Sequence, residues 1–115
     1  MTAARTGPTA PASAPPEIRE ATRATDGSGG VVKGALLTQA RAEARRQAGL
    51  DIVICGEEAV ANRLLAADIE SAAGPWTHHY PNLATTGPRA LPHFQQRRKP
   101  PAGHSFYETA NHKAL

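Results

Sequence analysis

At 115 residues the chain holds one small domain rather than two. It is 40% hydrophobic, but 23 residues are Ala and only 22 are larger apolar side chains, a thin supply against roughly 1–2 kcal/mol of backbone entropy per ordered residue. No run of about 18 apolar residues offers a membrane span, and the single cysteine, Cys55, excludes an internal disulfide.

The first 30 residues contain Pro8, Pro11, Pro15 and Pro16, then Gly27-Ser28-Gly29-Gly30. Proline opposes helix, glycine adds chain entropy, and little here can be buried. Residues 1–30 therefore read as a disordered tail or linker, with room for a short helical turn at 17–23. They lack the apolar core of a signal peptide. Residues 31–115 are expected to form the folded domain.

Residues 34–48 read as a helix, with Leu36, Leu37, Ala40, Ala44 and Ala48 on one face and Gly49 as its stop. Residues 50–55 are the one strongly β-prone run, and the continuous Ile52-Val53-Ile54-Cys55 suggests a strand buried on both faces. Residues 57–73 read as a second helix. Its apolar face combines Val60, Leu64 and Ala67 with Ala61, Leu65, Ile69 and Ala73, and Gly74-Pro75 ends it. Beyond Pro75 the proline spacing leaves room only for extended pieces, at 77–80, 90–95 and 104–109, the last expected to join the strand at 52–54. The fold class is α+β: two helices on a small sheet, a proline-rich loop region over one side, and a disordered N-terminal tail.

The net charge of +3 is unevenly spread. Residues 74–115 carry five Lys or Arg and one acid, Glu108, together with all five His and every aromatic side chain. A basic, His-rich, aromatic-rich segment suits nucleic acid. Imidazole titrates near neutrality, so two histidines can serve as general acid and base without a metal. His93, set between Pro92 and Phe94, and His104, opening an expected strand, are the candidate pair. Arg97, Arg98 and Lys99 lie between them and are candidates for holding phosphate. Tyr107 and Glu108 are candidates for support, one as proton donor or stacking ring, the other to orient a histidine. A working pair needs its imidazoles within about 7 Å, with Arg97 or Arg98 facing them; imidazoles pointing apart favour a non-catalytic basic module that binds nucleic acid or a partner protein.

No cofactor is expected on this reading. A divalent metal held by His78, His79 and His93 is the alternative, although no Cys-x-x-Cys or His-Glu-x-x-His spacing supports it. Asp51 with Glu57 or Glu58 suggests a Mg²⁺ centre, but a strand-entry residue and two helix-start residues account better for them. Cys55 reads as a small buried side chain.

Four segments then carry a resemblance: Arg45-Arg46-Gln47-Ala48-Gly49-Leu50-Asp51-Ile52-Val53-Ile54-Cys55-Gly56, Ala61-Asn62-Arg63-Leu64-Leu65-Ala66, Ala90-Leu91-Pro92-His93-Phe94-Gln95 and Gly103-His104-Ser105-Phe106-Tyr107-Glu108. Over about 70 residues, from Ala44 to Lys113, their order resembles the C-terminal toxin regions of bacterial polymorphic toxins, the variable tips of Rhs-type and PAAR-carrying secreted effectors. The resemblance implies delivery by a secreted effector, action in the cytoplasm of a rival cell, and a cognate immunity protein. Many such tips are nucleases; others are deaminases, peptidases or ADP-ribosylating enzymes. The combined expectation is a toxin-like nuclease that cleaves nucleic acid, RNA in preference to DNA, by histidine general acid–base catalysis.

Overall fold

The computed structural model describes residues 14–115, an α+β domain with a mixed sheet. In chain order its elements are β1 (Glu17–Arg23), β2 (Val31–Leu36), α1 (Gln39–Gln47), β3 (Ile52–Cys55), α2 (Ala59–Ser71), β4 (Trp76–His79), α3 (Leu83–Thr86), β5 (His93–Gln96) and β6 (Ser105–Tyr107). The sheet runs β2-β1-β3-β6-β5-β4. β3 and β6 are parallel, and every other pair is antiparallel.

β3 sits inside the sheet as its composition predicts, with all four residues buried. β6 joins it in the register Ile52↔Ser105 to Ile54↔Tyr107. β1 corrects the sequence reading, which placed residues 17–23 in a linker with a helical turn. The strand pairs with β2 on one side and β3 on the other. Its Ile18 enters one face of the sheet and Ala21 the other, so neither face shows an alternating apolar pattern. The pairing partners, not the strand's own composition, make it a strand. The first 13 residues of the expected tail lie outside the described residues.

The first helix is shorter than the periodicity suggests, because residues 34–36 belong to edge strand β2. Thr38 caps α1 by accepting from the Arg41 N–H at 3.2 Å, and Gly49, at φ 84°, turns the chain out of it. The inward face also differs. Ala40, Ala44 and Ala48 are exposed, while Ala42 and Arg46 are buried. α2 keeps part of its expected face, with Ile69 buried and Leu65 and Ala67 packed against the core, but Val60 and Leu64 are 71% and 64% exposed, and Asn62, Ala66 and Glu70 face in.

A buried polar network draws polar side chains of both helices inward. Arg46 forms a two-pronged ion pair with Glu70, Nε to Oε1 at 2.8 Å and Nη2 to Oε2 at 3.0 Å. Ser105 donates to Glu70 Oε1 at 2.7 Å and Gln96 to Oε2 at 2.7 Å. Arg46 Nη1 donates to the carbonyls of Leu50 and Ala102. With its donors and acceptors matched, this cluster joins α1, α2, β5 and β6, whereas half of it left buried would cost several kcal/mol.

α1 and α2 cover one face of the sheet, where Ile18, Ile52, Ile54, Ile69, Phe94 and Tyr107 form the larger core. On the other face Ala21, Val31, Val53, Cys55, Leu91 and Phe106 form a second cluster, with Ala114 packed against it. Leu91 comes from the proline-rich segment, as expected of loops covering one side. No helix among the described residues is long and apolar enough to cross a membrane.

Candidate active site

The end of the sheet where β1 finishes and β3 and β6 begin gathers polar side chains on the face away from α1 and α2, with α3 and its cap Asn82 beside it. Antiparallel pairing sets His79 opposite His93 and His93 opposite Phe106. The His93 and His104 ring centroids are 4.7 Å apart at an interplanar angle of 84°, an edge-to-face contact. His79 lies parallel to His93 with centroids 5.5 Å apart. Phe106 underlies both catalytic candidates, 5.4 Å from His93 and 5.1 Å from His104. The candidate imidazoles therefore meet within the separation that acid–base work requires.

The cation at this place is Arg23, not Arg97 or Arg98. Its Nη2 lies 3.1 Å from His104 Nδ1 and 3.3 Å from Nε2, and its guanidinium stands 5.5 Å over the Phe106 ring. Asp51 approaches His104 from the start of β3. Its Oδ1 accepts the His104 backbone N–H at 2.7 Å and lies 3.3 Å from Nδ1. One proton arrangement satisfies both neighbours: Nδ1–H donates to Asp51, and Nε2 accepts from Arg23. Burial pushes the Asp51 carboxyl up, but hydrogen bonds and charge from His104 outweigh it, so the group ends below its ordinary value. Asp51 thus does more than enter a strand.

His93 is held from both sides, Nδ1 3.3 Å from the Leu91 carbonyl and Nε2 3.2 Å from Gln95 Oε1. Burial, aided by nearby His104, lowers its pKa to about 4 against the opposing effect of these two contacts. A cleft of about 220 Å³ opens beside it, lined by Arg23, His79, Asn82, Leu91, His93 and Phe106 among others.

The other candidates lie elsewhere. Arg97 donates from Nε to the Trp76 carbonyl at 3.1 Å, and with Arg98 it lines a separate groove of about 510 Å³ at the far end of β5. Lys99 follows it in the turn, exposed. Tyr107 points to the helix-covered face, where its hydroxyl meets His78 Nε2 at 2.7 Å, and burial raises its pKa to about 12. Glu108 is buried and fully engaged, accepting from the N–H groups of Gly56 and Ala114. Both are corrected from supporting catalysis to supporting the fold: alternation along β6 puts Tyr107 on the face opposite Phe106, and the Glu108 carboxylate is taken up by the Gly56 and Ala114 N–H groups. The same alternation sends His78 away from His79, so His78, His79 and His93 share no centre. Among the described residues no group of three or more His, Cys, Asp or Glu could hold a metal ion. Burial, reinforced by Glu108, lifts the Cys55 thiol to about 11, leaving it a poor nucleophile.

Sequence reasoning missed Arg23 because it sat in an apparent linker. The signal was present, a basic residue closing a short charged segment before a Gly-rich turn, but nothing local tied it to a histidine 81 positions away. No protein-family model matches the chain, and neither a curated protein nor a solved structure shows significant similarity to it.

Proposed function

We propose that this domain is a metal-independent ribonuclease of the toxin type, and that its active site is the Arg23, Asp51, His93, His104 group. The observation that carries the reading is the 4.7 Å contact of the His93 and His104 rings, with Arg23 and Asp51 both on His104. His93, kept neutral by burial, takes the proton of an RNA 2′-hydroxyl as that oxygen attacks the adjacent phosphorus. The bond from phosphorus to the 5′-oxygen breaks, and that oxygen leaves with a proton from His104. Asp51, 3.3 Å from Nδ1, orients the His104 ring, as the carboxylate of a catalytic triad does. Arg23 turns from His104 to the phosphate and offsets the negative charge on its oxygens. The products are a 2′,3′-cyclic phosphate and a 5′-hydroxyl, and no further reactant is needed. DNA lacks the 2′-hydroxyl, so RNA is the preferred substrate. As a toxin tip, the domain would be neutralised by a cognate immunity protein before delivery into the cytoplasm of a rival cell.

The test is inducible expression of the whole chain in a bacterial cytoplasm, beside His93→Ala and His104→Ala, with growth and RNA integrity followed together. Arrest with RNA breakdown, relieved by either substitution, supports the reading. Arrest with intact RNA removes the ribonuclease. Normal growth with folded protein that retains RNA uncut favours a non-catalytic binding module.

A further inference from the structure

The three basic residues at the end of β5 do not reach the histidine pair, and that separation is informative. His93 opens β5 and Arg97 follows its last residue, so they stand four residue steps apart, roughly 13 Å at about 3.3 Å per residue. One phosphate group cannot bridge that distance. Between them the histidine-bearing face presents Gln95 on β5 and Thr77 opposite it on β4, with no carboxylate on either strand. Arg97 uses Nε on the Trp76 carbonyl and lines the groove at this end of β5. Arg98 and Lys99 are exposed, and neither makes a hydrogen bond or ion pair with the described residues. Exposed cations without carboxylate partners, lined up with a phosphate-handling site at the other end of one strand, fit a linear polyanion.

We propose that Arg97, Arg98 and Lys99 form a remote phosphate subsite, so that the domain binds single-stranded RNA lengthwise along β5, one phosphate at Arg23 and another at this turn. The proposal rests on the ribonuclease reading for the identity of the strand, and it deepens that reading by making the substrate an oligonucleotide, not a dinucleotide. Single-stranded binders of this kind track the backbone with a row of positive charge.

The experiment uses the whole chain and 2′-O-methyl RNA, which lacks the free 2′-hydroxyl and stays intact. Binding of a hexanucleotide and of a dinucleotide is followed by fluorescence anisotropy across a salt series, for wild type and for the double variant Arg98→Gln/Lys99→Gln. These side chains are exposed and unpartnered among the described residues, so the variant is expected to melt with wild type. The hexanucleotide is expected to lose about tenfold in affinity, and its log–log salt slope to flatten by about 0.7, the value for one phosphate contact on a single strand. Dinucleotide binding should not change. An unchanged hexanucleotide affinity and slope would overturn the subsite whether or not the chain cuts RNA. Equal losses for both ligands would overturn it too, because they indicate diffuse charge and not a second position. A chain that binds the hexanucleotide through these cations yet never cleaves RNA keeps the track and removes the catalytic reading instead.

Discussion

At the scale of single residues, the site is a set of ordinary side chains given unequal tasks by their neighbours. His93 and His104 are the same residue type 4.7 Å apart, yet burial governs one and a carboxylate the other. The depressed value of His93 has two consequences. Activity should depend on an acidic limb near pH 4, where His93 takes up a proton and can no longer act as base; a pH–rate profile on an RNA oligonucleotide locates it. Stability should respond over a wider window. Between His93's folded value of about 4 and its ordinary 6.5, the unfolded chain binds a proton that the folded chain does not. The contribution is therefore whole above about 6.5 and lost as pH falls toward 4. Melting temperatures across that range should drop less steeply in His93→Gln than in wild type. Asp51→Asn keeps the shape but removes the charge beside His104. It should lower kcat by at least tenfold, with about 10⁴ as the scale for losing such a carboxylate, while KM moves little. A KM effect without a kcat effect would assign Asp51 to substrate binding and remove it from the chemical step. The two histidines were legible in the sequence, because proline and a strand start gave each a rigid setting. Arg23 and Asp51 were not, since their relevance exists only where three strand ends meet.

At the scale of elements, the helices were legible as helices but only in part in their orientation: Leu65, Ala67 and Ile69 pack on the core as expected. Periodicity counted Val60 and Leu64 as core, yet both stand in solvent while Asn62 and Glu70 face in. Hydrophobic counting assigns polar side chains outward by construction, so a buried network such as Arg46–Glu70–Ser105–Gln96 is invisible to it. The rotated face is testable by urea unfolding. Leu64→Ser should stay within about 0.5 kcal/mol of wild type, whereas Ile69→Ala should cost about 2–5 kcal/mol. Glu70→Ala strands the Arg46 charge in the core and should cost about 3–5 kcal/mol. If Leu64→Ser were the more damaging change, the helix would be turned as the periodicity predicts.

At the scale of the whole molecule, the sheet depends on a segment that composition set aside. β1 lies between β2 and β3, supplies Ile18 and Ala21 to the two cores, and carries Arg23 into the site. A chain beginning at Val31 is expected to lose cooperative unfolding, read by circular dichroism in urea, and with it any cleavage. The sequence by itself determined the α+β class, the buried strand at 52–55, the stops at Gly49 and Gly74-Pro75, and the pairing of the last strand with β3. Each rests on local chemistry: β-branched side chains, glycine and proline, and runs of apolar residues. The tertiary structure alone decided which helix faces turn inward, that β1 is a strand, and that Arg23 and Asp51 stand at His104 while Arg97, Arg98 and Lys99 stand a strand's length away. Those outcomes depend on pairing and ion contacts between distant positions, and a one-dimensional pattern carries no distance between them.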